Sequence, residues 1–540
     1  MQDGQRSGLR RRELLVGGAG AGIALAAPLN YAAMARGLRV PVATGGKFAH
    51  GVSAGFPSSK GITLWTRVSE LSKSSKLTLE VATDKHFKHV VDTQDVVAES
   101  NRDYTVHAQV KGLKPREEYF YRFATKHKSS RVGTFRTLPP SDSKEKLRIG
   151  YYSCQDYEAG YYNAQAGLAK EKDLDLVICL GDYIYEHMYY PGPSDRVDTL
   201  GANGDGDVQS LAEYRSKYRM YQSDKNLQAL HAAYPFVSIW DDHEVEDNYA
   251  GDQADSASTD PANFENNNSY PRRVPFGDRR KNGYKAFFEA MPRIQGTGGQ
   301  KNVIYGSVKI GGLAELFLTD QRQYRDQQPC ADALLDPCPD EGTPGRTMLG
   351  ADQKAWFKKA VAKSKATWKL WASEVMVMSL DITPGQGVNQ DQWDGYAAER
   401  TEILESFVAA GVQNLAVLTG DIHTFFAGNV STTGRNGGTP VGVELVGGSA
   451  TSLGIPEALG VPSSTLKALA GNDPHIKFFD FDHRGYTVVE LSKKEMKADF
   501  KIVDALTPGA KPATVATFQV ASGVPQLNQT SGSTRPIYPS

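Results

Sequence analysis

The feature that most constrains the fold is a short apolar run that ends abruptly in polar residues. Residues 174–180 are almost wholly apolar, as expected of a strand buried on both faces of a sheet, and Gly181-Asp-Tyr-Ile-Tyr-Glu186 follows at once. In open α/β sheets, ligands bind outside the carboxyl ends of the strands. The run therefore predicts a central strand of an α/β sheet, with a functional site at its end.

Three other strand-like runs end in the same way. They are residues 148–152 before Ser153-Cys-Gln155, residues 236–240 before Asp241-Asp-His-Glu244, and residues 415–419 before Gly420-Asp-Ile-His423. Together the four strand ends offer a thiol, a phenol, imidazoles and carboxylates, which are the ligands of a metal site. The coincidence predicts one metal centre, although each motif alone is also compatible with an ordinary polar loop.

Hydrolysis of a phosphate ester at neutral pH is well served by two metal ions about 4 Å apart that share a bridging carboxylate. Asp182 is the predicted bridge, because it ends the central strand. Cys154, Tyr185 and His423 offer a thiolate, a phenolate and an imidazole to a hard trivalent iron. The alternative for Cys154 is an ordinary buried thiol that binds no metal. Tyr183 is the alternative to Tyr185. Alternation places Asp182 and Tyr185 on different faces, so the choice of Tyr185 requires that the strand has already ended.

The second ion is predicted to be a harder divalent cation bound by oxygen atoms. Asp242 and Asp421 are its predicted ligands, and Asp241 is an alternative to Asp242. His243 directly follows Asp242 and is the predicted catalytic residue, which protonates the leaving group or holds a phosphate oxygen.

These motifs, together with Gly51-Val-Ser-Ala-Gly55 and Leu64-Trp-Thr-Arg67, resemble the motif set of the PhoD-type alkaline phosphatases. That family belongs to the metallophosphoesterases and is related to the purple acid phosphatases. The resemblance covers nearly the whole chain and implies a four-layered α/β/β/α catalytic domain. It also implies iron(III), Fe3+, on Cys154, Asp182, Tyr185 and His423, with calcium, Ca2+, on Asp182, Asp242 and Asp421.

The resemblance implies a secreted phosphoesterase that cleaves phosphate monoesters, diesters or both with a metal-activated hydroxide. Arg322 and Arg325 lie in another family-like stretch and are predicted to bind the substrate phosphate by paired hydrogen bonds; solvated loop arginines are the alternative. The same architecture occurs in iron-dependent phospholipase D enzymes that release choline from phosphatidylcholine. An exported binding protein with an inactive hydrolase body is a more remote alternative.

The chain is long enough for two domains. Residues 48–138 alternate with period two and resemble a fibronectin-like or Ig-like β-sandwich, whereas strand and helix patterns alternate over residues 147–505 and predict the α/β catalytic domain. Residues 189–208 and 250–280 are long polar stretches typical of functional lids or of disordered insertions. Residues 506–540 are predicted to be a C-terminal tail, with one strand-like run at 514–520.

The N-terminus predicts export. A cleavable signal peptide is predicted over residues 1–35, because Arg10-Arg-Arg12 precedes a short Gly/Ala-rich apolar segment and small residues. The arginine pair is followed by Glu13 and two leucines, a pattern that fits the twin-arginine export route. The expected partner is the twin-arginine export machinery and the expected location is secreted or periplasmic. With no second apolar span, the mature protein is expected to lack an integral membrane segment.

Composition and cysteines add three expectations. The net charge of −1 gives no signature of nucleic-acid binding. Cys330 and Cys338 lie in one polar loop, and an exported protein can bridge them. Cys179 lies inside the central apolar run and is expected to be a core residue.

Overall fold

The central apolar run forms a strand, Leu176–Cys179, in the middle of a ten-stranded sheet. The computed structural model describes residues 40–187, 192–254, 272–332, 338–383, 385–470 and 473–532. The predicted signal peptide, and residues 189–191 and 255–271 of the two predicted loops, lie outside the described residues. From Pro41 onward the described residues form one compact unit.

Strands and helices alternate through the catalytic region, as expected of an α/β protein. The strands are β1 (Val52–Gly55), β2 (Gly61–Arg67), β3 (Ser75–Ala82), β4 (Val90–Ala98), β5 (Thr105–Lys111), β6 (Glu118–Ala124), β7 (Gly133–Arg136), β8 (Leu147–Tyr152), β9 (Leu176–Cys179), β10 (Pro235–Ser238), β11 (Gly306–Ile310), β12 (Ala314–Leu318), β13 (Trp368–Ser373), β14 (Asp381–Thr383), β15 (Gln386–Gly387), β16 (Leu415–Thr419), β17 (Phe425–Ser431), β18 (Pro440–Val446), β19 (Ile476–Asp480), β20 (Arg484–Leu491), β21 (Glu495–Val503), β22 (Ala513–Ala521) and β23 (Asn528–Gly532). The α-helices are α1 (Asn163–Leu168), α2 (Leu211–Gln222), α3 (Lys225–Ala233), α4 (Phe276–Ala290), α5 (Gly350–Lys363), α6 (Ala397–Ala409), α7 (Ile455–Leu459) and α8 (Ser463–Ala470).

The first large sheet has the strand order β23-β22-β21-β20-β8-β9-β10-β1-β2-β5. Within it β8, β9, β10 and β1 are parallel. All four residues of β9 are buried, which explains why the run is apolar without alternation. Since these strands are parallel, the loops that follow β8, β9 and β10 leave the sheet at the same edge.

The second large sheet has the order β11-β12-β13-β16-β18-β17-β19, and β12, β13, β16 and β18 are parallel. The two sheets share one hydrophobic cluster, which contains Ile149 of the first and Leu370 of the second. The other face of the second sheet packs against α5 and α6, where Trp371 and Phe357 belong to a separate cluster. Because α1 and α3 contact the first sheet, the expected α/β/β/α layering is confirmed.

The predicted N-terminal β-sandwich is also present. The sheet β4-β3-β6-β7 packs against β1, β2 and β5 in a third hydrophobic cluster, which includes Leu64 and Leu79. However, β1 pairs in parallel with β10, with Ala54 opposite Pro235. One layer of the sandwich is therefore a continuation of the first large sheet, a connection between distant segments that no local pattern can predict.

The end of the chain differs from the expected tail. The strand-like run at 514–520 lies within β22, which pairs with β21, and β23 then pairs with β22. All five residues of β23 are exposed, so it lacks the apolar alternation by which strands are recognised in a sequence. The predicted tail therefore contributes two strands to the first sheet.

Two smaller features bear on the cysteines and on membranes. Cys330 and Cys338 form the predicted disulfide bond, and Cys179 is buried in β9 as expected. In the part of the chain that the structure describes, no helix combines the length and the apolar character needed to cross a bilayer.

Candidate metal centre

The loops that follow β8, β9, β10 and β16 meet at one place. The Cys154 amide donates to the Gly181 carbonyl over 3.4 Å, which joins the first two loops. A Cβ on Gly181 would lie 2.4 Å from Asp241 Cβ, and a Cβ on Gly420 would lie 2.4 Å from Ser153 Oγ. Glycine is required at both strand ends because the neighbouring chain leaves no space for a side chain.

Four of the predicted ligands have a left-handed backbone. The φ angles are 55° for Cys154, 52° for Asp182, 63° for Asp421 and 53° for His423. Residues other than glycine rarely adopt this conformation, which costs each of them on the order of 1–2 kcal/mol. Such conformations persist where the surrounding fold enforces them, and they cluster at functional sites.

Among the described residues, three overlapping groups of side chains lie close enough together to hold a cation. Within each group the ligand atoms lie within 4.8 Å of one another; the groups are Cys154 with Asp182 and His423, Asp182 with Asp242 and His243, and Asp241 with Asp242 and Asp421. Asp182 belongs to the first two groups and Asp242 to the last two. A bridging role for Asp182 fits this geometry, and Asp241 and Asp242 both lie close enough to act as ligands.

Tyr185, rather than Tyr183, points toward the first group. Its Oη lies 3.0 Å from Asp182 Oδ2 and 3.0 Å from His423 Nε2. The strand has already ended at Cys179, so alternation no longer governs which residues face the site. The Tyr183 ring instead stacks with His231, with ring centroids 5.7 Å apart.

His423 is held as a neutral imidazole with one nitrogen available. Its Nδ1 lies 2.6 Å from the Leu453 carbonyl oxygen, which can only accept, so Nδ1 carries the hydrogen. Removal of the ring from water lowers the pKa of His423 to about 3. Nε2 is therefore left with its lone pair, the form in which histidine binds metals.

The buried acidic groups of the centre lose their protons readily only if further positive charge is added. Burial raises the pKa of Asp182 well above its usual range; His243 opposes this shift and Asp242 adds to it. Burial, reinforced by Asp182, also raises the pKa of the Cys154 thiol. Because ligation requires the thiolate and the carboxylates, bound cations would reverse both effects.

Unpaired oxygen atoms give an independent test of whether cations fit. Asp182 Oδ1 and Asp241 Oδ2 are buried without a hydrogen-bond partner among the described residues, and buried Asp242 Oδ1 has only an ion contact of 3.5 Å to Arg322 Nη2. Buried carboxylate oxygens are normally paired, because their desolvation is costly. The residues present therefore fit a centre that binds metal ions.

Arg322 lies among these carboxylates with no side-chain surface exposed. Its Nε donates to Asp241, its Nη2 donates to Asp421 Oδ1 over 2.7 Å, and its Nη1 contacts both oxygens of Asp391 at 2.8 and 2.7 Å. Arg325 Nη2 donates to the same Asp391 over 2.6 Å. Neither is a solvated loop arginine, and contact with a substrate phosphate stays a prediction.

His243 is oriented by two neighbours. Its Nδ1 lies 2.7 Å from Glu186 Oε2, and its ring stacks on Tyr185 with centroids 4.0 Å apart. Burial lowers the pKa of His243, but Glu186, followed by Asp242 and Asp182, outweighs it and holds the pKa well above the ordinary value. A protonated imidazole beside the carboxylates is compatible with the predicted role as a proton donor.

Sequence reasoning assigned no role to Glu186 or to Glu244. Glu244 accepts the amide hydrogens of Tyr183 at 2.6 Å, Asp241 at 2.7 Å and Asp182 at 3.2 Å. It thus ties the loop after β9 to the loop after β10. Both acids lie inside the motifs quoted above. Their place close behind a strand was the sequence signal that could have identified them as functional residues.

Ser452 was also missed. It follows β18, and its Oγ lies 2.7 Å from Tyr185 Oη. Residues 441–446 are apolar except for Glu444 and end in Gly447-Gly-Ser449, so this is a fifth strand end of a similar kind.

Comparison with known proteins shows which family the chain resembles. The family model described as PhoD-like phosphatase matches residues 149–500, and that of the PhoD-like phosphatase N-terminal domain matches residues 35–139. Alkaline phosphatase D of Bacillus subtilis (strain 168) is 34% identical over 505 residues, which cover 90% of this chain and 83% of that protein.

Two solved structures extend the comparison. The structure of PhoD superposes with a TM-score of 0.79 at 31% identity and covers 92% of this chain and 94% of that one. A purple acid phosphatase from yellow lupin (Lupinus luteus) seeds superposes with a TM-score of 0.54 at 12% identity, over 87% of this chain and 73% of that one. The second likeness shows the shared metallophosphoesterase fold.

Proposed function

Because this chain belongs to the PhoD-like phosphatase family and is a phosphoric ester hydrolase, we propose that it hydrolyses phosphate monoesters, with diesters as further substrates. The supporting observation is that Asp182 and Asp242 link three groups of ligand atoms, each within 4.8 Å. Shared carboxylates of this kind suit cations that lie side by side, an arrangement that promotes phosphoester hydrolysis.

The donor types suggest which ions bind. Cys154, Tyr185 and His423 would hold iron(III) together with Asp182, since this set combines anionic ligands with a neutral imidazole. The oxygen ligands Asp242 and Asp421, again with Asp182, would hold calcium or another divalent ion, and Asp241 is the alternative to Asp242. Ions bound here supply Lewis acidity and make a water molecule nucleophilic near neutral pH.

We place the proton donor at His243. Glu186 holds its Nδ1 at 2.7 Å and is itself fully buried, so the ring has a fixed orientation beside Asp182 and Asp242. A positioned acid matters most when the leaving alcohol is a poor leaving group, because the developing alkoxide then needs a proton in the transition state.

Replacement of His243 with asparagine should therefore lower kcat for an alkyl phosphate by about 100-fold or more. The loss should be much smaller for 4-nitrophenyl phosphate, whose leaving group needs no proton. Steady-state kinetics on both substrates, with metal content measured for each preparation, tests this expectation.

Glu186→Gln is the matched variant, since glutamine keeps the shape and one accepting oxygen but removes the charge. It should give a smaller loss with the same dependence on the leaving group. Equal losses on both substrates, accompanied by loss of metal, would instead identify His243 as a metal ligand.

The substrate class is tested by comparing two reactions of the same metal-loaded protein. One assay follows an aryl phosphate monoester, and the other follows choline release from phosphatidylcholine. We expect the monoester rate to exceed the choline rate by a wide margin. The reverse result would make the protein a phospholipase D, and metal-loaded protein inactive on both would contradict both substrates.

We also propose export by the twin-arginine route, on the basis of Arg11, Arg12 and the apolar segment after them. The Cys330–Cys338 disulfide supports an oxidising compartment. Arg11→Lys with Arg12→Lys should retain the precursor in the cytoplasm, whereas unchanged export of this variant would contradict the route.

A further inference from the structure

The loop after β18 is fastened to the loop that carries Cys154. The Ala450 amide donates to the Ser153 carbonyl over 2.9 Å, and the Thr451 amide donates to the Cys154 carbonyl over 3.2 Å. Thr451 Oγ1 adds a bond of 2.6 Å to the Asp156 carbonyl. These contacts bring a fifth strand-end loop against the metal centre.

Ser452 is the residue of this loop that reaches a predicted ligand atom. Its side chain is buried, and its Oγ lies 2.7 Å from Tyr185 Oη and 2.9 Å from the Cys154 carbonyl oxygen. The Asp156 amide donates to the same Oγ over 3.2 Å. The hydroxyl is therefore fixed in place, with its one hydrogen able to go to either of two acceptors.

The neighbours of Tyr185 Oη determine which acceptor receives that hydrogen. Besides Ser452 they are Asp182 Oδ2 and His423 Nε2, each 3.0 Å away. Asp182 as a carboxylate has no hydrogen to donate, and the ring hydrogen of His423 is committed to the Leu453 carbonyl. Of these neighbours, only Ser452 can donate to Tyr185 once the phenol has lost its proton.

An anionic phenolate is a stronger acceptor than a backbone carbonyl. We propose that Ser452 donates its hydroxyl hydrogen to the Tyr185 phenolate and is a positioning residue that sets how strongly this tyrosine donates electrons to the metal. The proposal rests on the ligand set given under the proposed function. It follows from the bond of 2.7 Å and from the other two contacts of the serine oxygen.

The effect on the metal has a defined sign. A hydrogen bond to a phenolate withdraws charge from its oxygen, which weakens its donation and leaves the metal more electrophilic. The phenolate-to-iron charge-transfer absorption then lies at higher energy. Loss of the hydrogen bond should move the absorption to longer wavelength.

The test compares Ser452→Ala with Thr451→Val in iron-loaded protein. Thr451→Val removes a buried hydroxyl from the adjacent residue, and that hydroxyl bonds a carbonyl rather than a ligand. Ser452→Ala should shift the charge-transfer band to longer wavelength and change the tyrosinate vibrations in the resonance Raman spectrum. Thr451→Val should leave the band in place.

A band that is unmoved in Ser452→Ala, or that moves equally in both variants, would overturn the proposal. Wild-type protein in D2O gives a second readout that requires no variant to fold. The tyrosinate vibrations should shift on exchange, because the donated hydrogen is exchangeable, and an absence of any isotope shift counts against the hydrogen bond. Wild-type protein with full iron but no tyrosinate vibrations would instead remove Tyr185 from the ligand set, and the proposal with it.

Discussion

Replacement of Asp182 with asparagine is expected to lower both metal retention and turnover severely. The substitution keeps the size of the side chain but removes the charge that two of the three ligand groups share. If the shared carboxylate contributes about 4 kcal/mol to the transition state through the metals, its loss lowers kcat/KM by about 1000-fold. Kinetics on a phosphate monoester, together with elemental analysis, measures both effects.

Asp173→Asn is a suitable control for this variant. It is the same substitution near the opposite end of β9, and the Asp173 side chain is 79% exposed. It should retain wild-type metal content and rate. Wild-type turnover in Asp182→Asn would disprove the bridged centre.

The second large effect is expected from Arg322→Met. The wild-type guanidinium contacts Asp241, Asp391 and Asp421, and none of its side chain is exposed. Its removal leaves buried carboxylates without a counter-charge, which typically costs about 3–5 kcal/mol. Metal-free Arg322→Met protein should therefore unfold at a much lower denaturant concentration than metal-free wild-type protein.

Metal ions should partly reverse this loss, since cations that bind only the native state stabilise it and also supply the missing charge. Arg400→Met is the matched control, because Arg400 is equally buried and pairs with Asp394 rather than with a candidate ligand. Arg400→Met should also be destabilised, but without preferential rescue by metals. Equal stability of metal-free wild-type and Arg322→Met proteins would show that the guanidinium does not balance these carboxylates.

The sequence predicted the strands of the α/β domain and the residues at their ends, because a strand buried on both faces has a distinctive composition. The α/β/β/α layering was implied by the family resemblance. Cys154, Asp182, Asp242 and His423 each follow such a run within a few residues, and the structure brings all of them together. Tyr185 required one further fact, that β9 ends at Cys179.

Contacts between distant segments were not predictable in this way. Nothing local to β1 indicates that it pairs with β10, and nothing near Arg322 indicates that its partners are Asp391 and Asp421. From the sequence alone, an arginine in a polar stretch is expected either to be solvated or to bind phosphate. Only the fold shows that it is buried among carboxylates, and the same holds for Ser452 against Tyr185.

The most direct test of the central claim is reconstitution of metal-free protein with iron and calcium, in which bound metal per chain and hydrolysis of a phosphate monoester are measured on the same samples. We expect no turnover without metal, and a rate that rises as at least two ions bind per chain, one of them iron. Full turnover by the metal-free protein, or saturation by a single ion with full activity, would contradict the account.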